Sequence, residues 1–309
     1  YSHAQLFGSA LYRGAGLPTQ SSRPVRVILN NDAPATSGPP SYGFHVLNEV
    51  LNSDFADHVF PSDSSGNVYR GLRLSGAGAD LHFEGTDPAP YRENYHKESN
   101  VSEDDWSDLI ELTQVLDLEP DPTYADAVRR VVNVEEWMLY FALETLVDNR
   151  ETNLGNGNNG TGQGDDYFLY RGTVDRRFAV LPYDLDTILD QGDTRGKVED
   201  GLFRMNANPV IARLMTHPEF APIYYATLTR LIETTFASAT FDSLVDRTLS
   251  GLVPNPQIEG MKAFAAARRD FVLSQIPRRV SVSNELAVVN GYARATQNPV
   301  ALRGAANAV

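Results

Sequence analysis

The sequence predicts an α+β chain, a smaller β-containing N-terminal lobe followed by a larger, mostly helical C-terminal lobe. Three observations predict it. β-Branched and alternating runs cluster before residue 100, and apolar residues at helical spacing dominate after it. Two short strands flanked by carboxylates then interrupt the helical part. The expected division is residues 1–100 for the β-rich lobe, 101–289 for the helical lobe and 290–309 for a loosely held tail rich in Ala, Asn and Gly.

Taken in order, residues 2–13 have helical spacing, with Leu6, Ala10 and Leu11 apolar and Gly14 and Gly16 as the stop. A strand is expected over 25–29, then a Pro/Ser/Gly-rich loop, then a second strand over 42–50. Ser53 is placed as the cap of a short helix over 54–60, and further strands are expected over 67–74 and 80–83. Ser102, followed by Glu103, Asp104 and Asp105, reads as a helix start, since the N-terminal dipole favours acids. Trp106, Leu109, Ile110, Leu112 and Leu116 form its buried face. Asn133 and Glu136 match a capping box opening a helix over 134–147, whose Trp137, Tyr140 and Phe141 are read as core, like Trp106. Strands over 167–170 and 178–181 form a hairpin, and helices follow over 209–215, 220–236, 241–252 and 256–275.

The 309 residues carry 26 Lys+Arg against 40 Asp+Glu, a net charge of −14. This disfavours a nucleic-acid partner, whose phosphates need Lys and Arg, and favours basic partners or a metal. No apolar run approaches the ~20 residues of a membrane span. Hydrophobic residues at 42% and charged residues at 21% exclude wholesale disorder. The absence of cysteine excludes disulfides, thiolate nucleophiles and Cys-ligated zinc. The chain begins at Tyr1 with no signal-like segment after it, and reads as a processed fragment. Residues 98–126 hold ten acids and no Lys or Arg, expected to be a solvated helix face or a docking surface for a basic substrate.

The chemistry concentrates where acids flank the hairpin. Asp148 and Asn153 lie at a helix end, Asp165 and Asp166 precede the first strand, and Asp184 and Asp186 follow the second. Such oxygen ligands suit Mg²⁺, Mn²⁺ or Ca²⁺. Phosphoryl transfer needs hard cations held by an Asp and a second Asp to accept the hydroxyl proton. Protein kinases place that base and an Asn ligand five residues apart, then a hairpin, then the metal-binding Asp. Asp148, Asn153 and Asp184 repeat that order.

At these residues the chain resembles the spore coat protein H (CotH) kinase family, atypical protein-kinase-like proteins. Tyr42-Gly-Phe-His-Val-Leu-Asn-Glu49 resembles the family's Tyr-Gly-x-Tyr…Glu strand, and Gly66-Asn-Val-Tyr-Arg-Gly71 its Gly-Asn-Leu-Tyr-Lys-Gly. The helix start Asp104-Asp-Trp-Ser-Asp-Leu-Ile110 recurs in the family. Asp166-Tyr-Phe-Leu-Tyr170 is similar to Asn-Tyr-Tyr-Leu-Tyr, and Pro182-Tyr-Asp-Leu-Asp186 to Pro-Trp-Asp-x-Asp. The resemblance implies a two-lobed kinase-like fold and ATP- and metal-dependent phosphorylation of Ser or Thr in proteins. Basic, Ser-rich surface or coat proteins outside the cytoplasm are the substrates it implies. It makes Asp184 the metal-binding acid, with Asp186, Asp166 and Asn153 as further ligands. Arg70 stands where the family has a nucleotide-contacting Lys; Glu49 belongs to the same nucleotide-binding set, and Lys97 is a substitute cation.

The loop after Asp148 is lengthened by residues 156–164, which leaves Asp148, Glu151 and Asp165 as alignments for the base. Spacing to Asn153 favours Asp148. The bland readings are a turn for Asp148 and Asn149, turn acids for Asp184 and Asp186, and a surface ion pair between Arg70 and Glu49. Rival functions are a catalytically silent, metal-stabilised structural module of a cell surface or spore coat, and a metal-dependent phosphohydrolase. Gly155-Asn-Gly-Asn-Asn-Gly160 matches a dinucleotide fingerprint only in letters, because it follows a helix rather than a strand. No His pair at i, i+4, no Walker lysine and no nucleophile elbow occurs.

Overall fold

The computed structural model describes residues 1–26, 45–74, 78–150, 154, 165–192, 196–277, 280–283, 286–290, 292–296 and 303–306. In chain order these form α1 (Ser2–Ala15), β1 (Ser22–Val25), β2 (His45–Asn48), α2 (Ser53–Val59), β3 (Asn67–Gly71), α3 (Ala89–Asn94), β4 (Tyr95–Lys97), α4 (Ser107–Leu118), α5 (Asp121–Val131) and α6 (Val134–Val147). Then come β5 (Tyr167–Arg171), β6 (Ala179–Pro182), α7 (Pro209–Thr216), α8 (Ala221–Glu233), α9 (Ser238–Leu249), α10 (Asn255–Gln275) and the short strands β7 (Val280–Ser283), β8 (Ala287–Val289), β9 (Tyr292–Arg294) and β10 (Arg303–Ala306). The chain is α+β, as expected. Toward the C-terminal end of the described residues, β7 pairs with β10 and β8 with β9.

Local chemistry accounts for most boundaries. α1 stops at Gly16, which takes φ 101 and returns its N–H to Arg13 O; a side chain is disfavoured in that left-handed region. α2 is capped by Asn52 rather than Ser53, its Oδ1 accepting from the N–H groups of Asp54 (3.0 Å) and Phe55 (3.3 Å). The strand expected over 80–83 does not form, and Leu81 has φ 64. The helix expected from Ser102 begins instead at Ser107. Residues Val101–Glu103 make a 3₁₀ turn, Asp104 is left-handed at φ 48, and Asp105 Oδ1 accepts the Ser107 N–H at 2.9 Å. The capping box at α6 gives way to one tertiary contact and one local side-chain contact. Glu136 Oε1 accepts the Val180 N–H of β6 at 3.2 Å, and its Oε2 accepts from Asn133 Nδ2 at 3.3 Å.

The main sheet is antiparallel in the order β4-β3-β5-β6. It joins strands from either side of residue 100, and the main core runs from Ala4 to Ile276. One face of the sheet, carrying Tyr69, Tyr167, Leu169 and Val180, packs on this core around α6, which is buried on every side. Trp106, Trp137, Tyr140 and Phe141 are all in it. The other face, with Val68, Phe168, Tyr170 and Leu181, forms a smaller cluster beneath Phe55 and Ala56 of α2. Asp63 fastens that side: its carboxylate accepts the N–H groups of Thr173 (2.8 Å), Val174 (2.9 Å) and Asp175 (2.9 Å) in the hairpin turn.

Among the described residues no helix is long and apolar enough to cross a membrane. The acidic run is largely solvated, with Glu103, Asp104, Asp105, Glu111, Asp121 and Asp126 exposed, and Asp108 is the exception. Asp108 is buried and accepts from Tyr69 Oη (2.6 Å) and Asn67 Nδ2 (2.8 Å). Asp104 pairs with Arg92 and Asp117 with His82.

Candidate active site at the hairpin mouth

Antiparallel pairing decides which groups meet. The C-terminal end of β3, the start of β5 and the end of β6 lie at one end of the sheet, because Arg70 pairs with Phe168 and Tyr167 with Pro182. That end brings Arg70 and Arg73 beside Asp165, Asp184 and Asp186. Arg73 Nε lies 3.4 Å from Asp165 Oδ2. Burial, and then the charge of Asp186, push the Asp184 carboxyl above its ordinary value; Asp165 adds to this, whereas the Tyr1 amino group and Arg70 oppose it. The Tyr1 amino group also contacts Asp186. Asp184 itself is left-handed at φ 50, and Asp166 at φ 57 immediately precedes β5.

Arg70 is held by aromatic rings rather than by Glu49. Its guanidinium carbon lies 5.0 Å from the centroid of Tyr183 and 5.8 Å from that of Phe168, within the range of cation–π attraction. Glu49 instead accepts from the Ser21 N–H at 2.9 Å and pairs with His58 at 3.2 Å. With Ser21, Ser22, Arg23, Leu47 and Asn48 it lines an open cleft of about 270 Å³. Lys97 does not join Arg70 either. It pairs across the strands with Tyr69, so alternation sends it to the opposite face, where its Nζ donates to Asp105 O at 2.8 Å.

Asp148 has a separate setting. It ends α6 with φ 45 and its side chain is fully buried. Oδ2 accepts the Lys197 N–H at 2.6 Å, and Oδ1 lies 3.4 Å from Arg204 Nε and 4.0 Å from Arg268 Nη2. Burial raises its carboxyl above the ordinary value, against Arg204, Arg268 and that N–H. A side chain at Gly196 would reach 2.8 Å from Asp148 Oδ2, so the 196–197 backbone closes over the acid. Arg268, 1% exposed on α10, donates to Thr145 O (2.9 Å) and Val198 O (2.7 Å) and also to Asp200 O. Beneath lies Glu144, pushed up to about 8 by burial and accepting from Tyr12 Oη at 2.9 Å. Asn153 and Glu151 lie outside the described residues.

Sequence reasoning missed the support that α1 gives to the acids. Gln5 Oε1 accepts the Leu185 N–H at 2.8 Å, between Asp184 and Asp186, and His3 bonds Gln191 at 2.9 Å. A Cβ at Gly8 would lie 2.8 Å from Leu185 Cβ, so this glycine lets the helix press directly on the acid-bearing loop. Its place inside a helical pattern, where glycine costs about 1 kcal/mol against alanine, was the available signal. Arg73, Arg204 and Arg268 carried no comparable local signal.

The donor set suits a hard cation in kind. Asp184 stands in the field of two other carboxylates, and a bound cation would relieve their repulsion. Among the described residues, however, no three His, Asp or Glu side chains gather at metal-binding spacing.

Comparison with known families matches residues 7–260, from α1 into α10, to the family described as CotH kinase protein. No curated protein matches the chain. The matched span contains Arg70, Asp148, Asp184 and Asp186 together with the sheet and helices that position them, and by this match the chain belongs to the CotH kinase family.

Proposed function

We propose that the chain is an ATP- and metal-dependent protein kinase of the two-lobed, kinase-like kind, transferring the γ-phosphoryl group to Ser or Thr of a protein. The observation that carries this reading is the convergence of Arg70 with Asp184, Asp186 and Asp165 at one end of the sheet. Asp184 and Asp186 would hold Mg²⁺ or Mn²⁺, with Asp166 and Asn153 as further oxygen ligands. When bound, the cation neutralises charge on the phosphates. Arg70 binds phosphate oxygens as a fixed cation, since guanidinium matches their geometry and stays charged. α1 keeps the acid loop in place through Gln5 and Gly8.

The proton-accepting role goes to Asp148 by its order in the chain, and Asp165 is the competing acid because Asp184 senses its charge. In the Asp148 case the Lys197 N–H that now occupies Oδ2 would have to be given up before that oxygen could accept a proton. The net charge of −14 supports a basic protein as substrate, and the family resemblance a coat or surface protein outside the cytoplasm.

Labelled phosphate supplied as ATP with Mg²⁺ or Mn²⁺ tests the reading on a basic, Ser-rich protein. Transfer is expected with the parent and is lost, by a factor of about 10³ or more, with Asp184→Ala. Undiminished transfer by Asp184→Ala sinks the assignment. Asp148→Asn and Asp165→Asn identify the base, the true one costing roughly 10²–10⁴ in kcat. The enclosure of Asp148 favours one second reading, a catalytically silent surface module. A thermal shift with Ca²⁺ and none with ATP and Mn²⁺ would support that instead.

A further inference from the structure

Arg70 occupies the position at which the family resemblance implies a lysine, and its surroundings give the exchange a physical sense. Phe168 is its direct cross-strand partner, and Tyr183 follows β6, one residue before Asp184. The rings of Phe168 and Tyr183 are 5.0 Å apart and tilted by 56°, so the pair forms a corner. The guanidinium carbon of Arg70 sits within 6 Å of both rings, at 5.8 and 5.0 Å. Phe168 is buried in the smaller cluster, and Tyr183 is packed against it. The corner is therefore anchored by the sheet.

A planar, weakly hydrated guanidinium can lie against such rings and still direct N–H groups outward. A lysine ammonium is a compact, strongly hydrated charge on a flexible stem. It would make the corner without gaining the same fixed direction. Lys97 cannot replace it, being on the opposite face.

We propose that Tyr183 and Phe168 are positioning residues that hold the Arg70 guanidinium beside Asp184, so that phosphate binding here depends on arginine and is not restored by lysine. The inference rests on the kinase reading above and adds to it the source of nucleotide affinity. Tyr183 acts through Arg70, so its effect falls on nucleotide binding and vanishes when Arg70 is gone.

The test is calorimetric titration of ATP with Mn²⁺ into the full chain, beside thermal unfolding without nucleotide to verify folding. Arg70→Lys is expected to weaken binding about tenfold, close to Arg70→Ala, and Tyr183→Leu about fivefold. Tyr183→Phe should recover most of what Tyr183→Leu loses. In an Arg70→Ala background, Tyr183→Leu should add less than about twofold. Parent-like affinity for Arg70→Lys, or an equal loss from Tyr183→Leu with and without Arg70, overturns the inference and leaves the kinase reading standing. A parent that binds no ATP with Mn²⁺ overturns both. A parent that binds nucleotide but labels no protein removes only the kinase reading, and the variants still decide the role of the rings by affinity.

Discussion

Asp148 and Asp184 are both carboxylates displaced upward by burial, yet their neighbours have opposite signs. Asp148 is enclosed with Arg204 and Arg268 and takes a backbone N–H. Asp184 faces Asp186 and Asp165, with Arg70 as the opposing side-chain charge. The first acid has its compensation built into the protein. The second stands in an excess of negative charge, which suits an external cation. Two acids of one motif thus divide into a sealed ionic joint and a half-open site, by exposure as well as by the sign of their neighbours.

The largest expected effect tests the sealed side. Arg268→Met removes hydrogen bonds to Thr145, Val198 and Asp200 carbonyls and leaves Asp148 with less compensation. A loss of about 3–5 kcal/mol in urea denaturation is expected. Asp184→Asn, by contrast, should leave the metal-free protein as stable as the parent or more so, because it relieves repulsion. Equal destabilisation by both variants would break the comparison.

A smaller effect sharpens the half-open side. Gly8→Leu forces a side chain against Leu185 and should cost roughly 1–3 kcal/mol by chemical denaturation. It should also weaken the Mn²⁺-dependent thermal shift, since α1 supports the loop between Asp184 and Asp186. Normal metal response in a destabilised Gly8→Leu would detach α1 from the site.

The smallest effect concerns Glu144 under Asp148. Its carboxyl is raised from 4.5 to about 8, so the folded protein retains a proton that the unfolded chain releases. Its stabilising contribution is full below pH 4.5 and is lost as pH rises through about 8. Glu144→Gln should flatten that fall, so that its advantage over the parent grows as pH rises toward about 8, with little change at pH 5. Melting temperatures across pH, compared between the two proteins, measure it.

Much of the element order was legible because its causes are local. Helical spacing ended by glycine marked α1, and a Pro-initiated apolar stripe marked α7 and α10. α5 went unread inside the acidic run, although Asp121 and Pro122 open it and Tyr124, Ala125, Val128 and Val131 make its buried stripe. Two misplacements had tertiary causes. Glu136 left the expected capping box for the Val180 N–H, and over 80–83 the Leu81 and Phe83 N–H groups go to Tyr95 Oη and Asp117 instead of a strand partner.

By itself the sequence determined the α+β class, the aromatic core, the hairpin and the chain order of the acids, since propensity, periodicity and capping act over a few residues. Only the tertiary structure decided which charge meets which acid. Alternation along β3 could say that neighbouring side chains point to opposite faces, but not which face would meet Phe168 and Tyr183. That depends on pairing Arg70 with Phe168 and Tyr69 with Lys97, contacts made between distant strands. The same reason separates Asp148 from Asp184: their partners come from α10, the 196–204 segment and β3, and each is fixed by packing that no local pattern encodes.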